Sequence, residues 1–159
     1  PLVERFTLRC FPFPCEGEMS PFKYLDHTAD MCVQGIGTSV EEAFCEAARA
    51  VFNLMVDLDM VVPKRRIQVS VGASSLEFLL VEWLDALISQ KDLSRMIFCR
   101  FGVDIVTNSN GFRLEGEGWG EELNHVWHRA KLEVKGVSYA GLQVSRGKEG
   151  WIAQCVVDV

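Results

Sequence analysis

Hydrophobic side chains recur at helical spacing in two segments of the chain. Within each segment they fall every three or four residues, so they line one face of a helix. The two sets are Ala43, Phe44, Ala47, Ala48, Val51, Phe52 and Met55, and Leu76, Leu79, Leu80, Trp83, Leu84, Leu87 and Ile88. A serine with a glutamate three residues later precedes each set, as "SVEE" at 39–42 and "SSLE" at 74–77. This capping-box pattern predicts that two helices begin there, with Ser39 and Ser74 as their caps.

The other hydrophobic positions alternate with polar ones, which is typical of half-buried strands. Single strands are predicted at "MCVQGIG" (31–37) and "RRIQVSVGA" (65–73). Asn110-Gly111 separates two alternating runs and predicts a hairpin. A second hairpin is predicted from "KLEVKGVSYAGLQVSRG" (131–147) and "GWIAQCVVDV" (150–159), which meet at the turn from Gly147 to Gly150.

The order of these elements is strand–helix–strand–helix, followed by strands alone. This order predicts an α+β fold with two helices packed on one face of a mainly antiparallel β-sheet. A length of 159 residues fits one domain. The run Phe11-Pro12-Phe13-Pro14 does not suit a helix or a central strand. We therefore expect residues 1–20 to be an N-terminal extension outside the fold and residues 21–159 to form the domain.

Charge and hydropathy exclude some classes of function. Sixteen Lys and Arg residues are scattered among 22 Asp and Glu residues, giving a net charge of −6 with no basic stripe. Direct nucleic-acid binding is therefore not expected, although an enzyme of nucleic acids remains a suitable partner. No apolar run reaches the roughly 20 residues of a membrane span, and the N-terminal sequence does not resemble a signal peptide. We expect a cytoplasmic protein without membrane contact.

The six cysteines contain no C-x-x-C pair. In a chain of this length they are expected to be reduced and mostly buried. The alternative is a structural zinc site, for which His125 and His128 are the best additional ligands.

Polar groups cluster in "YLDHTAD" at 24–30, where Asp26, His27 and Asp30 lie within five positions. On an extended chain Asp26 and Asp30 are about 13 Å apart, too far to share a metal ion. The C-terminus offers further oxygen ligands, namely Asp158 and the α-carboxylate of Val159. A terminal strand beside the strand that follows Asp30 would assemble an all-oxygen site suited to Ca²⁺ or Mg²⁺. The alternative is that Asp30 caps a turn and Asp158 is a solvated tail residue, which the spacing alone favours.

Three other features have ordinary structural explanations. His27 fits a hydrogen-bonded loop residue as well as a base or ligand. "GEGWG" at 116–120 lacks the Lys-Ser/Thr of a phosphate loop and fits a bulged or tightly packed strand. Lys135 alternates with Val134 and Val137, which predicts a solvent-facing side chain on a strand.

The motifs taken together resemble the archease family. The resemblance rests on "YLDHTAD" before a short strand, "GTSVEEAF" at the start of a helix, "GWGEEL" (118–123), "VKGVSY" (134–139) and the terminal "VVDV". These motifs span residues 22–159 in the order and rough spacing of the family. The sequence departs from the family in its proline-rich extension and in Gly136, where Ala is common.

The resemblance implies a function and assigns residues to it. Archeases are protein cofactors, not enzymes, of the GTP-dependent RNA ligase of tRNA splicing and RNA repair. They promote ligase guanylylation and multiple turnover. The implied metal ligands are Asp30, Asp158 and Val159, with Ca²⁺ as the expected ion and Mg²⁺ or Mn²⁺ as alternatives. Lys135 is the residue implied in ligase activation. Asp26 and His27 belong to the signature without an assigned role.

A second hypothesis comes from a different class of function. A stand-alone metal-dependent hydrolase would use the Asp30/Asp158 site together with His27. Such an enzyme needs a second metal ion or a clear base, and the sequence indicates neither.

Overall fold

A computed structural model describes residues 21–25 and 30–159 of the chain. Its strands are β1 (Phe22–Leu25), β2 (Met31–Gly37), β3 (Arg65–Ala73), β4 (Met96–Asn108), β5 (Gly111–Glu122), β6 (Gly136–Gly147) and β7 (Gly150–Asp158). Its α-helices are α1 (Val40–Met55) and α2 (Leu76–Ser94), and a short 3₁₀ turn spans Leu58–Met60. Residues 1–20 lie outside the described residues, so the expected N-terminal extension stays a prediction.

Both helices begin where hydrogen-bonding side chains satisfy the first free amides. Ser39 caps α1, since its Oγ accepts a hydrogen bond from the Glu42 N–H at 3.1 Å. The cap of α2 is Ser75, whose Oγ accepts from the Phe78 N–H at 3.2 Å. The prediction of Ser74 as this cap is wrong by one residue. Two consecutive serines offer the same kind of side chain, and the backbone conformation decides which of them caps the helix.

The strands form two antiparallel sheets. One has the order β1-β2-β7-β6 and the other has the order β3-β5-β4. The α+β class, the two helices and the antiparallel pairing are therefore confirmed. The division of the strands between two sheets has no counterpart in the local sequence, because the pattern within a strand does not name the strand it pairs with. Both predicted hairpins are present, as β4–β5 and as β6–β7.

The core forms where the helices meet the sheets. Phe44, Phe52, Leu80 and Trp83 are all fully buried in one cluster. The Trp83 indole N–H donates a hydrogen bond to the Phe44 carbonyl at 3.2 Å, which satisfies its polar atom inside the core. This contact joins the two helices directly.

The glycine-rich stretch of β5 packs closely against its neighbours. A Cβ at Gly116 would overlap the Trp83 ring, and one at Gly120 would overlap the backbone of Ile97. The expectation of a tightly packed strand is confirmed. Glycine is required here because the indole and the neighbouring strand occupy the space of a side chain.

Cys32, Cys99 and Cys155 are free thiols, and Cys32, Cys45 and Cys155 are buried. Burial raises the pKa of Cys155 to about 12, which keeps this thiol protonated at neutral pH. Within the described residues, no helix has the length and apolar character needed to span a membrane.

Candidate functional site

The pairing of β2 with β7 brings the predicted metal ligands to one end of the four-stranded sheet. Met31 is the partner of Val157 in the antiparallel register. Continued by one residue, this register sets Asp30 opposite Asp158, and Cα atoms so paired are about 4.5–5.5 Å apart. Val159 follows directly. The structure therefore brings together groups that are 128 positions apart in the chain.

Lys135 lies at the same end of the sheet, on the other side of β7. Gly136 is the partner of Asp158, and the Lys135 N–H donates to the Asp158 carbonyl at 2.9 Å. The Lys135 side chain is exposed, as its alternation with valines predicts, although β6 begins one residue later. Asp30, Asp158 and Lys135 are thus placed at the same end of three neighbouring strands.

The donor set at this end fits a hard divalent cation. Asp30 and Asp158 offer side-chain carboxylates, and Val159 offers its main-chain carboxylate. In the part of the chain that the structure describes, no three His, Cys, Asp or Glu side chains are grouped to hold a metal. Asp158 and Val159 are exposed, which leaves room for water in the six to eight oxygen ligands of Ca²⁺.

The remaining signature residues fall partly outside the described residues. Asp26 and His27 are among them, and their roles stay open. Tyr24, at the start of the signature, has a structural role. Its hydroxyl donates to the Ala50 carbonyl at 2.9 Å and accepts from the Asn53 amide at 3.2 Å, which ties β1 to α1 just before the signature carboxylates.

Sequence reasoning missed Asp85, a residue of α2. Its Oδ1 accepts a hydrogen bond from the Val137 N–H at 3.1 Å, two residues after Lys135. Partial burial raises the pKa of Asp85, opposed by this hydrogen bond and reinforced by the charge of Glu82. β6 is an edge strand of its sheet, so the Val137 N–H points away from the sheet. The Asp85 carboxylate accepts the hydrogen bond of this edge amide. The only signal of this role in the sequence was that an acidic residue stands between two positions of the hydrophobic stripe, Leu84 and Leu87.

The segment before Lys135 is fixed by a buried histidine. His128 Nδ1 accepts from the Asn124 N–H at 2.9 Å, and its carbonyl accepts from the Asp57 N–H at 3.1 Å. With Nδ1 as acceptor, the neutral ring carries its proton on Nε2, which lies 2.7 Å from Glu121 Oε1. His128 therefore has a structural role.

Glu121 links this histidine to another part of the chain. Its carboxylate also accepts from the Val62 N–H at 3.1 Å and pairs with the Lys64 ammonium at 3.2 Å. The hydrogen bond from His128 is the main reason why the pKa of Glu121 is lowered to about 2. The Lys131 N–H and the Leu132 N–H in turn bond the last carbonyls of α1, at 2.7 Å and 3.2 Å. The backbone leading to Lys135 is thus held on two sides.

The sequence matches the Archease protein family (MTH1598/TM1083) over residues 22–159. This chain belongs to the archease family. Since the match ends at Val159 and begins at β1, the whole arrangement described above lies inside the archease domain.

Individual archeases are similar over nearly their full length. Protein archease of Thermococcus gammatolerans is 35% identical over 142 residues, which cover 89% of this chain and 100% of that protein. Protein archease of Sulfolobus acidocaldarius is 34% identical over 141 residues, with coverage of 89% and 100%. The solution structure of Methanobacterium thermoautotrophicum protein 1598 superimposes with a TM-score of 0.77 at 29% identity, covering 89% of this chain and all of the other.

Proposed function

We propose that this protein is a cofactor of a GTP-dependent RNA ligase in tRNA splicing and RNA repair. In this role it promotes guanylylation of the ligase and its multiple turnover, and it works in the cytoplasm. Membership of the archease family supports the proposal. The protein acts through contact with the ligase and does not itself carry out the reaction or bind RNA.

One structural observation carries the proposal. Asp30, Asp158 and the Val159 carboxylate lie at the end of the sheet where Lys135 is also exposed. Nucleotidyl transfer is accelerated mainly by positioning and by stabilising charge, and these groups are suited to both.

We propose that Asp30, Asp158 and Val159 hold one divalent cation, expected to be Ca²⁺, with Mg²⁺ or Mn²⁺ as alternatives. A cation bound there would supply positive charge beside the triphosphate of GTP in the ligase. Lys135 has a flexible stem and a compact ammonium group, which reaches a phosphate or a carboxylate of the partner. Its main chain is fixed to Asp158, so the distance between the ammonium group and the carboxylates is bounded.

The proposal is tested by single-turnover guanylylation of the ligase with Asp30→Ala and with Lys135→Ala. Each variant is expected to remain folded and to lose the stimulation given by the wild-type protein. Asp30→Ala leaves Asp158 and Val159 as an incomplete pair of like charges. Lys135→Ala removes an exposed group, for which the expected change in the free energy of unfolding is below about 0.5 kcal/mol.

Two substitutions serve as matched controls. Lys148→Ala removes an exposed lysine at the opposite end of β6, and Asp104→Ala removes an exposed carboxylate on the other sheet. Both should stimulate the ligase as the wild-type protein does, and thermal melts check folding. Full stimulation by Asp30→Ala or Lys135→Ala would remove that residue from the mechanism. An arm without ligase tests the alternative of a stand-alone hydrolase, which would act on nucleotides or RNA ends by itself.

A further inference from the structure

Two aromatic side chains form an ordered pair on the surface. Phe78 lies in the first turn of α2 and Tyr139 lies in β6, and their ring centroids are 5.8 Å apart in an edge-to-face arrangement. Phe78 is 47% exposed and Tyr139 is 64% exposed. Each ring restricts the other, so little conformational entropy remains to be lost when a partner covers them. Exposed, preordered aromatic groups are what binding hot spots present.

The pair lies near Lys135 of the candidate site along the chain. Tyr139 is four residues after Lys135 along the chain, about 13 Å in extended conformation. Asp85 connects α2 to β6 through the Val137 N–H, about 10 Å along the helix from Phe78. We call Phe78, Glu82, Asp85 and Tyr139 the α2–β6 surface.

Two carboxylates of α2, those of Glu82 and Asp85, make this region acidic. Glu82 is exposed and lies close enough to Asp85 to raise its pKa, next to the larger effect of burial. The surface thus combines two aromatic groups with an acidic surround.

We propose that the α2–β6 surface is the docking surface for the RNA ligase, and that it contacts the basic face with which the ligase binds RNA. This inference rests on the proposed function. An enzyme that grips RNA phosphates needs Lys and Arg around its active site, and an acidic surface is attracted to them. Phe78 and Tyr139 provide the apolar centre of the contact. A second copy of this chain is the less suitable occupant, because two such acidic surfaces repel each other.

The test is a titration of ligase guanylylation with the double variant Phe78→Ala/Tyr139→Ala. If these residues bind the ligase, the concentration for half-maximal stimulation rises about tenfold or more, while maximal stimulation is unchanged. Lys135→Ala should show the opposite behaviour, with a lower maximum. The matched control is Leu93→Ala/Val106→Ala, which removes exposed apolar side chains from the far end of α2 and from β4. It should match the wild-type protein.

Each result separates this inference from the proposed function. If the wild-type protein stimulates the ligase and the double variant has the same half-maximal concentration, the docking surface is overturned and the proposed function is left intact. A lower maximum at an unchanged half-maximal concentration also overturns it, since the residues would then act on the chemistry. No stimulation by the wild-type protein overturns both. If the double variant melts early, Tyr139→Ala alone decides, because that side chain is largely solvent-exposed.

Sedimentation of the protein without ligase tests the other occupant, a second copy of this chain. A dimer that is abolished by the double variant would contradict the proposal.

Discussion

Buried polar residues in this protein join distant parts of the chain. His128 is fully buried, and its ring satisfies one main-chain donor and one carboxylate. Glu121 receives that ring N–H together with an amide and an ammonium group from the segment at 62–64. A buried polar group costs free energy unless it is hydrogen-bonded, so these contacts define one arrangement of the backbone before Lys135.

The lowered pKa of Glu121 has a consequence for stability at acid pH. A carboxyl group whose pKa is lowered on folding stabilises the folded protein at pH values above its ordinary pKa of 4.5. This contribution is lost as the pH falls toward about 2, the pKa of Glu121 in the folded protein. In Glu121→Gln the group no longer titrates. We therefore expect the free energy of unfolding to fall less between pH 4.5 and pH 2.5 in Glu121→Gln than in the wild-type protein, measured by denaturant titration at each pH.

Glu122→Gln is the matched control, because this neighbouring glutamate is exposed. It should follow the wild-type dependence on pH. An equal loss of stability for the wild-type protein and Glu121→Gln would show that the ion pair with Lys64 and the hydrogen bond from His128 do not contribute.

At the scale of elements, α2 has different tasks along its length. Its hydrophobic face packs into the core through Leu80 and Trp83, and Asp85 bonds the edge strand β6. Its first turn presents Phe78 to solvent, and its last turn presents Leu93. The same helix therefore supports the fold and forms part of the proposed docking surface.

Leucine substitutions in α2 separate these tasks. Leu80 is fully buried, so Leu80→Ala should lower the free energy of unfolding by about 2–5 kcal/mol through lost burial and the cavity left behind. Leu93 is 80% exposed, and Leu93→Ala should cost less than about 0.5 kcal/mol. Both are measured by urea unfolding. A loss below about 0.5 kcal/mol for Leu80→Ala would mean that α2 does not pack as described.

At the scale of the whole molecule, the proposed metal site at the end of β7 depends on β7 being a central strand. This strand lies between β2 and β6, so its last residues are held beside both neighbours. The main-chain carboxylate of Val159 is in this way presented at a defined place, although it follows the last residue of the strand.

The terminal carboxylate offers a direct test of the proposed metal site. Extending the chain beyond Val159 by several residues converts this carboxylate into an amide and moves the new terminus away. Calcium affinity measured by calorimetry should fall about tenfold or more, because affinity in such sites depends on the number of charged ligands. Val159→Ala keeps the main-chain carboxylate and should bind as the wild-type protein does. Equal affinity of the extended protein would rule out Val159 as a ligand.

Local signals determined the helices and hairpins of this protein. A capping serine and a period of three to four residues act within one turn or two, so they specify α1 and α2 without any distant contact. Asn110-Gly111 in the same way specifies the β4–β5 hairpin. The boundary of α2 shows the limit of this information, because Ser74 and Ser75 offer the same side chain and only the folded backbone selects Ser75.

Tertiary structure alone decided which strands are neighbours. Alternation shows that a segment has a buried face, but it does not name the partner strand. The pairing of β2 with β7 joins residues more than 100 positions apart, and it is this pairing that turns Asp30 from a turn residue into a neighbour of Asp158. The position of Asp85 beside Val137, and of Phe78 beside Tyr139, follows from packing α2 along β6. Such contacts depend on the free energy of the whole core, which no short stretch of sequence contains.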